Sequence, residues 1–198
     1  MEPLTPAEER RLRSLKTPYR IQRFMDAMPY HIATTAWSPR RVLAERTAHC
    51  LEGAIFAAAG LRAIGHRPLL VDLEADNDTD HVIAVFKERG HWGSLAKSNY
   101  AFLEYREPIH RTLRELALSY FPAYFNLRHQ RTLRRFSRPV DLRRFDHLDW
   151  MTAKKDVWFI AEHLLDIPHT QLLPRGMARR LNPLDKRSFS AGLHGHRW

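Results

Sequence analysis

Apolar positions recur at three- and four-residue spacing over the first 65 residues and then change to alternation, which predicts helices followed by strands. Thr5-Pro6-Ala7-Glu8 has the spacing of a capping box with proline at the first helical position, predicting a short helix to about Leu15. A second helix is expected after Thr17-Pro18, where Ile21, Phe24, Met25 and Met28 form one stripe before Pro29 stops it. Ser38-Pro39 opens a further short turn. Thr47 is the expected cap of the main helix, whose apolar face is Leu51, Ala54, Ile55, Ala58, Leu61 and Ile64, with Gly65 ending it.

The runs 68–73 and 81–86 then read as strands, and Gly90 suggests a hairpin into a third, Trp92 to Ala96. Pro108 is expected to open an amphipathic helix carrying Ile109, Leu113, Leu116, Ala117 and Tyr120. Thr152 is the expected cap of another, with Val157, Ile160, Ala161, Leu164 and Leu165 inward. The fold class is therefore α+β, a helix packed on a small antiparallel sheet with further helices at both ends. The organisation read from the chain is a core over 1–126, a basic helical extension over 127–185, and a disordered tail over 186–198 rich in Ser, Gly, His and Arg.

Of the 198 residues, 44% are apolar and 27% charged, enough for a real core. No apolar run reaches the roughly 20 residues of a spanning helix, and the first residues lack the apolar segment of a secretory signal, so a bacterial cytoplasm is the expected location. Charge is uneven: residues 1–126 carry 17 basic and 15 acidic side chains, residues 127–198 carry 15 and 7. Seven arginines between Arg128 and Arg144 make an anionic partner conceivable there, with Arg134, Arg135, Arg143 and Arg144 as the contacts to test.

The single cysteine, Cys50, excludes an internal disulfide and a multi-cysteine zinc site. With Thr47 as cap it falls in the first helical turn, where unpaired amides and the helix dipole favour a thiolate. A thiolate nucleophile needs an imidazole, and His81 begins a strand 31 residues later. Gly53, Ala54, Ala57 and Ala58 allow that helix to approach a sheet closely.

The segments 47–54 and 61–68, Asp80-His81-Val82, and His91-Trp92-Gly93-Ser94-Leu95 together resemble the transglutaminase-like superfamily. The likeness covers about residues 40–100. It implies a papain-like α+β core and thiol-dependent acyl transfer at peptide-like amides, with a cysteine at a helix start, a histidine on a strand and an aspartate on the next. No cofactor is implied. The aspartate position, four residues after Trp92, is Ala96 here. Asn99, with Ser98 as the alternative, is the expected substitute that holds His81. Cys50 N–H and Trp37 are the expected oxyanion donors.

Other readings compete. The Ala96 departure motivates a catalytically degenerate domain of the same fold that serves as an interaction module, and the arginines motivate a nucleic-acid binder. His49 and His91 read as structural or exposed. The acidic run 76–80 has the alternating oxygens of a calcium loop, but His81 stands where the loop needs glycine and Lys87 where it needs glutamate. No histidine pair has metal-ligand spacing on a firm helix, so no metal is expected.

Overall fold

Three helices start where a short hydroxyl side chain precedes proline. They are α1 (Pro6–Ser14), α2 (Pro18–Asp26) and α3 (Pro39–Glu45), capped by Thr5, Thr17 and Ser38. The Thr5 and Thr17 hydroxyls accept from the amides three residues on, each at 3.2 Å, and proline supplies φ without wasting a donor. The computed structural model describes residues 3–197.

The fourth helix, α4 (Cys50–Ala63), begins two residues later than expected. Its cap position is His49, and Cys50 is the first helical residue rather than the third. Thr47 instead spends its hydroxyl on the Pro29 carbonyl at 2.9 Å. The reason is Glu52: its carboxylate accepts the His49 amide at 3.2 Å and so sets where the helix starts.

Beyond α4 the chain forms β1 (Leu69–Ala75), β2 (His81–Glu88), β3 (His91–Leu95) and β4 (Arg106–His110), then α5 (Leu113–Tyr120), β5 (Leu133–Ser137), β6 (Val140–Asp141), α6 (Trp158–Asp166), β7 (His169–Gln171) and α7 (Lys186–Gly192). Among the described residues these strands make one seven-stranded sheet in the order β4-β3-β2-β1-β5-β7, with β6 also on β1, and every pairing is antiparallel. Arg89 and Gly90, at φ of 49° and 83°, turn β2 into β3, as a two-residue hairpin requires.

The two faces of the sheet carry separate cores. Leu70, Val82, Ala84, Phe86 and Leu95 pack beneath α4, whereas Val71, Leu73, Ile83, Val85 and Ala96 pack beneath α5. This period-two division is what the alternating sequence demands. α4 approaches the sheet closely: a Cβ on Gly53 would collide with the Lys97 stem. Lys97 is itself buried, and its ammonium donates to the Met25 and Met28 carbonyls at 2.9 and 2.6 Å, closing the end of α2.

Four expectations change. Pro108 and Ile109 belong to β4, not to a helix; β4 is the sheet edge, where proline's missing amide breaks no ladder. α5 starts after Thr112, whose hydroxyl accepts from Glu115 N at 3.1 Å. α6 starts at Trp158 rather than after Thr152. Residues 127–185 are not a helical extension, because β5 and β7 continue the same sheet. Residues 186–197, expected to lack order, include α7, whose cap Asp185 accepts from Ser188 N at 2.9 Å; Trp198 lies outside the described residues. Among the described residues, no helix is long and apolar enough to cross a membrane.

Candidate active site

The first residue of α4 and the first residue of β2 meet at one end of the sheet. Cys50 and His81 both line a cavity of about 180 Å³, together with Tyr30, Asp78, Ser98, Asn99, Tyr100 and Tyr124 among others. They arrive from opposite sides. Alternation places His81 on the face of Ile83 and Val85, turned from α4, while Cys50 sits against the neighbouring Val82 amide. The two share a cavity because it opens where the strand ends, and no hydrogen bond joins them.

The imidazole is oriented by the main chain. His81 Nε2 lies 3.0 Å from the Leu103 carbonyl oxygen, and because that oxygen only accepts, Nε2 carries the proton and Nδ1 keeps its lone pair. The Tyr120 and Tyr124 rings pack 6.3 and 6.4 Å from it. Burial pushes its pKa down to about 4, against the pull of the Leu103 hydrogen bond and with help from the Arg106 charge. At neutral pH it is therefore an uncharged base.

A consequence for folding has a definite sign. The unfolded chain binds a proton at His81 near pH 6.5, and the folded chain refuses it until about pH 4. Stability is therefore fully present above about 6.5 and falls as pH drops toward about 4. Urea titrations across this window are expected to show that loss, and His81→Gln is expected to reduce its slope. A slope identical in the variant assigns the acid sensitivity to other groups.

Cys50 is half-buried, and burial raises its thiol pKa, opposed by the Val82 and Leu51 amides and the Tyr30 hydroxyl. The helix-start thiolate expected from the sequence is thus a neutral thiol. Desolvation at the sheet outweighs the amides and dipole of the first turn. The carboxylate of Asp72 adds to this; it is buried on β1, bonded to His169 Nε2 at 2.9 Å, and pushed up to about 7 by burial and by Asp80.

The expected third member is not where the spacing placed it. Asn99 lines the cavity but gives its carboxamide to Arg197, and the Ser98 hydroxyl accepts from Tyr100 N at 2.9 Å. Ala96 is fully buried with its main chain clamped by Gln22, whose side chain donates to the Ala96 carbonyl at 2.9 Å and accepts its amide at 3.1 Å. Leu103 takes over the orienting role through its carbonyl, which carries no side-chain signal in a sequence.

Trp37 does not line this cavity. Its ring lies 4.2 Å from that of His31, and its amide donates to Glu52 at 3.2 Å. Tyr30, absent from the sequence reading, occupies the expected donor's place beside the thiol. It is brought there by the Tyr30–Ala48 bridge and by His31 N donating to Ala48 O at 3.1 Å.

His49 is structural as expected, with Nε2 2.8 Å from the Thr35 carbonyl. The arginines proposed for anion binding are engaged within the fold: Arg134 with Asp76, Arg135 with Glu74 and Asp76, Arg143 with Asp141, and Arg144 with His163 and the Phe145 ring. For Arg134, Arg135 and Arg143 the partner is a carboxylate, which an added phosphate would have to displace. Among the described residues, no group of three or more His, Cys, Asp or Glu side chains is placed to hold a metal ion. No protein-family model matches the chain, and no curated protein matches it.

Proposed function

We propose that the protein performs thiol-dependent acyl transfer at peptide-like amides on a transglutaminase-like, papain-type core. The observation that carries this is the sole cysteine and a tautomer-fixed imidazole lining one cavity, with Nδ1 as the available base. Both partners start neutral, so proton transfer accompanies attack rather than preceding it. Nδ1 takes the Cys50 proton as sulfur bonds to the carbonyl carbon, and the carbonyl π pair moves onto oxygen.

The Cys50 amide, at the first helical position and bonded in the resting site to the Tyr30 hydroxyl, is the first donor to that oxygen. Tyr30 supplies the second donor. Collapse of the intermediate breaks the carbon–nitrogen bond as Nδ1–H protonates the departing amine, and water or a second amine resolves the thioester.

The test is acylation by p-nitrophenyl acetate. An acetyl adduct is expected on wild-type protein and absent in Cys50→Ala; a wild-type protein that takes no adduct overturns the proposal. That outcome would favour a binding domain without chemistry, the reading motivated by Ala96 and by the opposite facing of His81 and α4.

The assignment of Tyr30 has its own signature. Attack at a carbonyl develops an oxyanion, whereas alkylation by iodoacetamide does not. Tyr30→Phe is expected to slow acylation about a hundredfold while leaving alkylation within a few-fold of wild type. Equal losses in both reactions would assign Tyr30 to thiol ionisation instead.

A further inference from the structure

A buried pair of ionisable groups lies beneath the first turn of α4, and the proposed reaction does not use it. Asp72 stands opposite Val82 in the β1–β2 ladder, on the face of the sheet where Leu70 and Val82 pack under α4. Cys50 sits on the Val82 amide, so the Asp72 carboxyl is the sulfur's neighbour on that face and acts on it through its charge. His169 of β7 reaches the same place across β5. It stands opposite Ser137, whose hydroxyl accepts the Asp72 amide at 2.9 Å. The Asp72 and His169 side chains are 3% and 8% exposed.

The hydrogen bonds count the protons in this pair. His169 Nδ1 lies 2.8 Å from the Ile167 carbonyl oxygen, which only accepts, so Nδ1 carries a proton. Nε2 lies 2.9 Å from Asp72 Oδ2. Two bare lone pairs would repel at that distance, so a further proton is held between them, on the carboxyl or on the ring. The pair is neutral as a unit while it holds this proton and carries one negative charge without it. The nearest hydroxyl does not compensate, because Ser137 Oγ donates to the Arg138 carbonyl at 3.0 Å. Burial, with the carboxylates of Asp80 and Glu74, pushes Asp72 up to about 7, so the proton is exchanged near neutrality. Glu74 also faces His169 Nδ1 at 3.9 Å. The one cation facing these acids, Arg135, is bound to Glu74 at 2.5 Å and to Asp76 at 3.1 Å. Tyr30 beside the thiol and Tyr124 across the sheet both titrate far above neutrality and add no charge.

We infer that Asp72 and His169 are positioning residues that act through the sulfur: the proton they share keeps the floor beneath Cys50 neutral, and its loss sets a negative charge against the thiolate. In an acyl transfer this bears on release of the thioester, when sulfur takes the electron pair of the breaking carbon–sulfur bond. The inference goes beyond the acyl-transfer reading, because it concerns ionisation of the sulfur in any reaction.

Asp72→Asn keeps the size and the bond, since its Nδ2 donates to Nε2, but never becomes charged. The ratio of variant to wild-type alkylation of Cys50 by iodoacetamide is expected to be near one at about pH 6 and to reach about three- to tenfold at about pH 8.5. That is the effect of roughly one pKa unit on the thiolate, partly offset by its lower nucleophilicity. Lost packing would change the rate by the same factor at both pH values, and a constant ratio overturns the inference. If the variant does not fold, wild-type protein carries the comparison from the other side. Iodoacetate leaves a carboxylate on the sulfur, and iodoacetamide leaves a neutral amide of nearly the same shape. Read by NMR on the His169 ring nitrogens, the pair is expected to keep its proton to a pH about one unit higher in the carboxylate-bearing adduct, because coupling between sites is reciprocal. Equal titrations in the two adducts overturn the inference. Alkylation that responds as stated, in protein that p-nitrophenyl acetate never acylates, keeps the pair's role and removes the acyl transfer.

Discussion

His81→Ala is expected to slow acylation of Cys50 by p-nitrophenyl acetate about a thousandfold at pH 7, the middle of the range for loss of a positioned general base. The size follows from the resting protonation states. Burial holds the thiol neutral, so without a base attack must wait for the small fraction ionised by solvent. In the variant the rate should therefore climb about tenfold per pH unit up to the raised thiol pKa. In wild-type protein the imidazole is already unprotonated above about pH 4, so the base itself imposes no acid limb near neutrality.

The histidine is buried, and thermal unfolding of the variant must accompany the kinetics so that lost packing is not mistaken for lost catalysis. A variant rate within threefold of wild type, with the same pH profile, removes His81 from the reaction.

Glu52→Ala is expected to cost about 3–5 kcal/mol of folding stability, the range for removing one member of a buried charged cluster. Its carboxylate is fully buried and accepts from four donors: the His31 ring at 3.0 Å, the Thr35 hydroxyl at 2.6 Å, and the Trp37 and His49 amides, each at 3.2 Å. These bonds and the nearness of His49 hold its pKa below the usual carboxylate range despite the burial. Alanine would leave all four donors facing an empty space.

Glu52→Gln keeps an acceptor and should lose less, about 1–2 kcal/mol. At this chain length the alanine variant should melt roughly 10 °C lower. An alanine variant within 1 kcal/mol of wild type in urea unfolding would show that water replaces the carboxylate. The cluster also matters for chemistry, because it ties residues 31–37 to the first turn of α4 and so fixes Tyr30 beside Cys50. The acylation rate of Glu52→Gln should fall further than its stability loss alone explains.

This cluster marks a limit of reading along the chain. Glu52 is visible as a first-turn acid of α4, but its partners at 31, 35 and 37 lie in a stretch without period, where nothing local signals a contact. The start of α4 moved to Cys50 for the same reason. Thr47 is a good cap by type, yet the carboxylate of Glu52 and the Pro29 carbonyl compete for the groups involved, and both are settled by tertiary packing. The N-caps at Thr5, Thr17 and Ser38 were legible because cap, proline and first-turn amide are neighbours in sequence.

What the sequence determined by itself is what depends on near neighbours and on periodicity: four early helices, the β2–β3 hairpin at Arg89-Gly90, the division of strands into two apolar faces, and the placement of the sole cysteine at a helix start beside a strand that begins with histidine. Only the tertiary structure decided the groups that act on that cysteine and histidine. Leu103 orients the imidazole through a carbonyl every residue possesses, Tyr30 reaches the thiol across a bridge between segments, and Asn99 is claimed by Arg197 from the far end of the described residues. Hydrogen bonds to main-chain atoms and contacts between remote segments leave no residue-type signature, so desolvation and orientation at the site become readable only once the faces have packed.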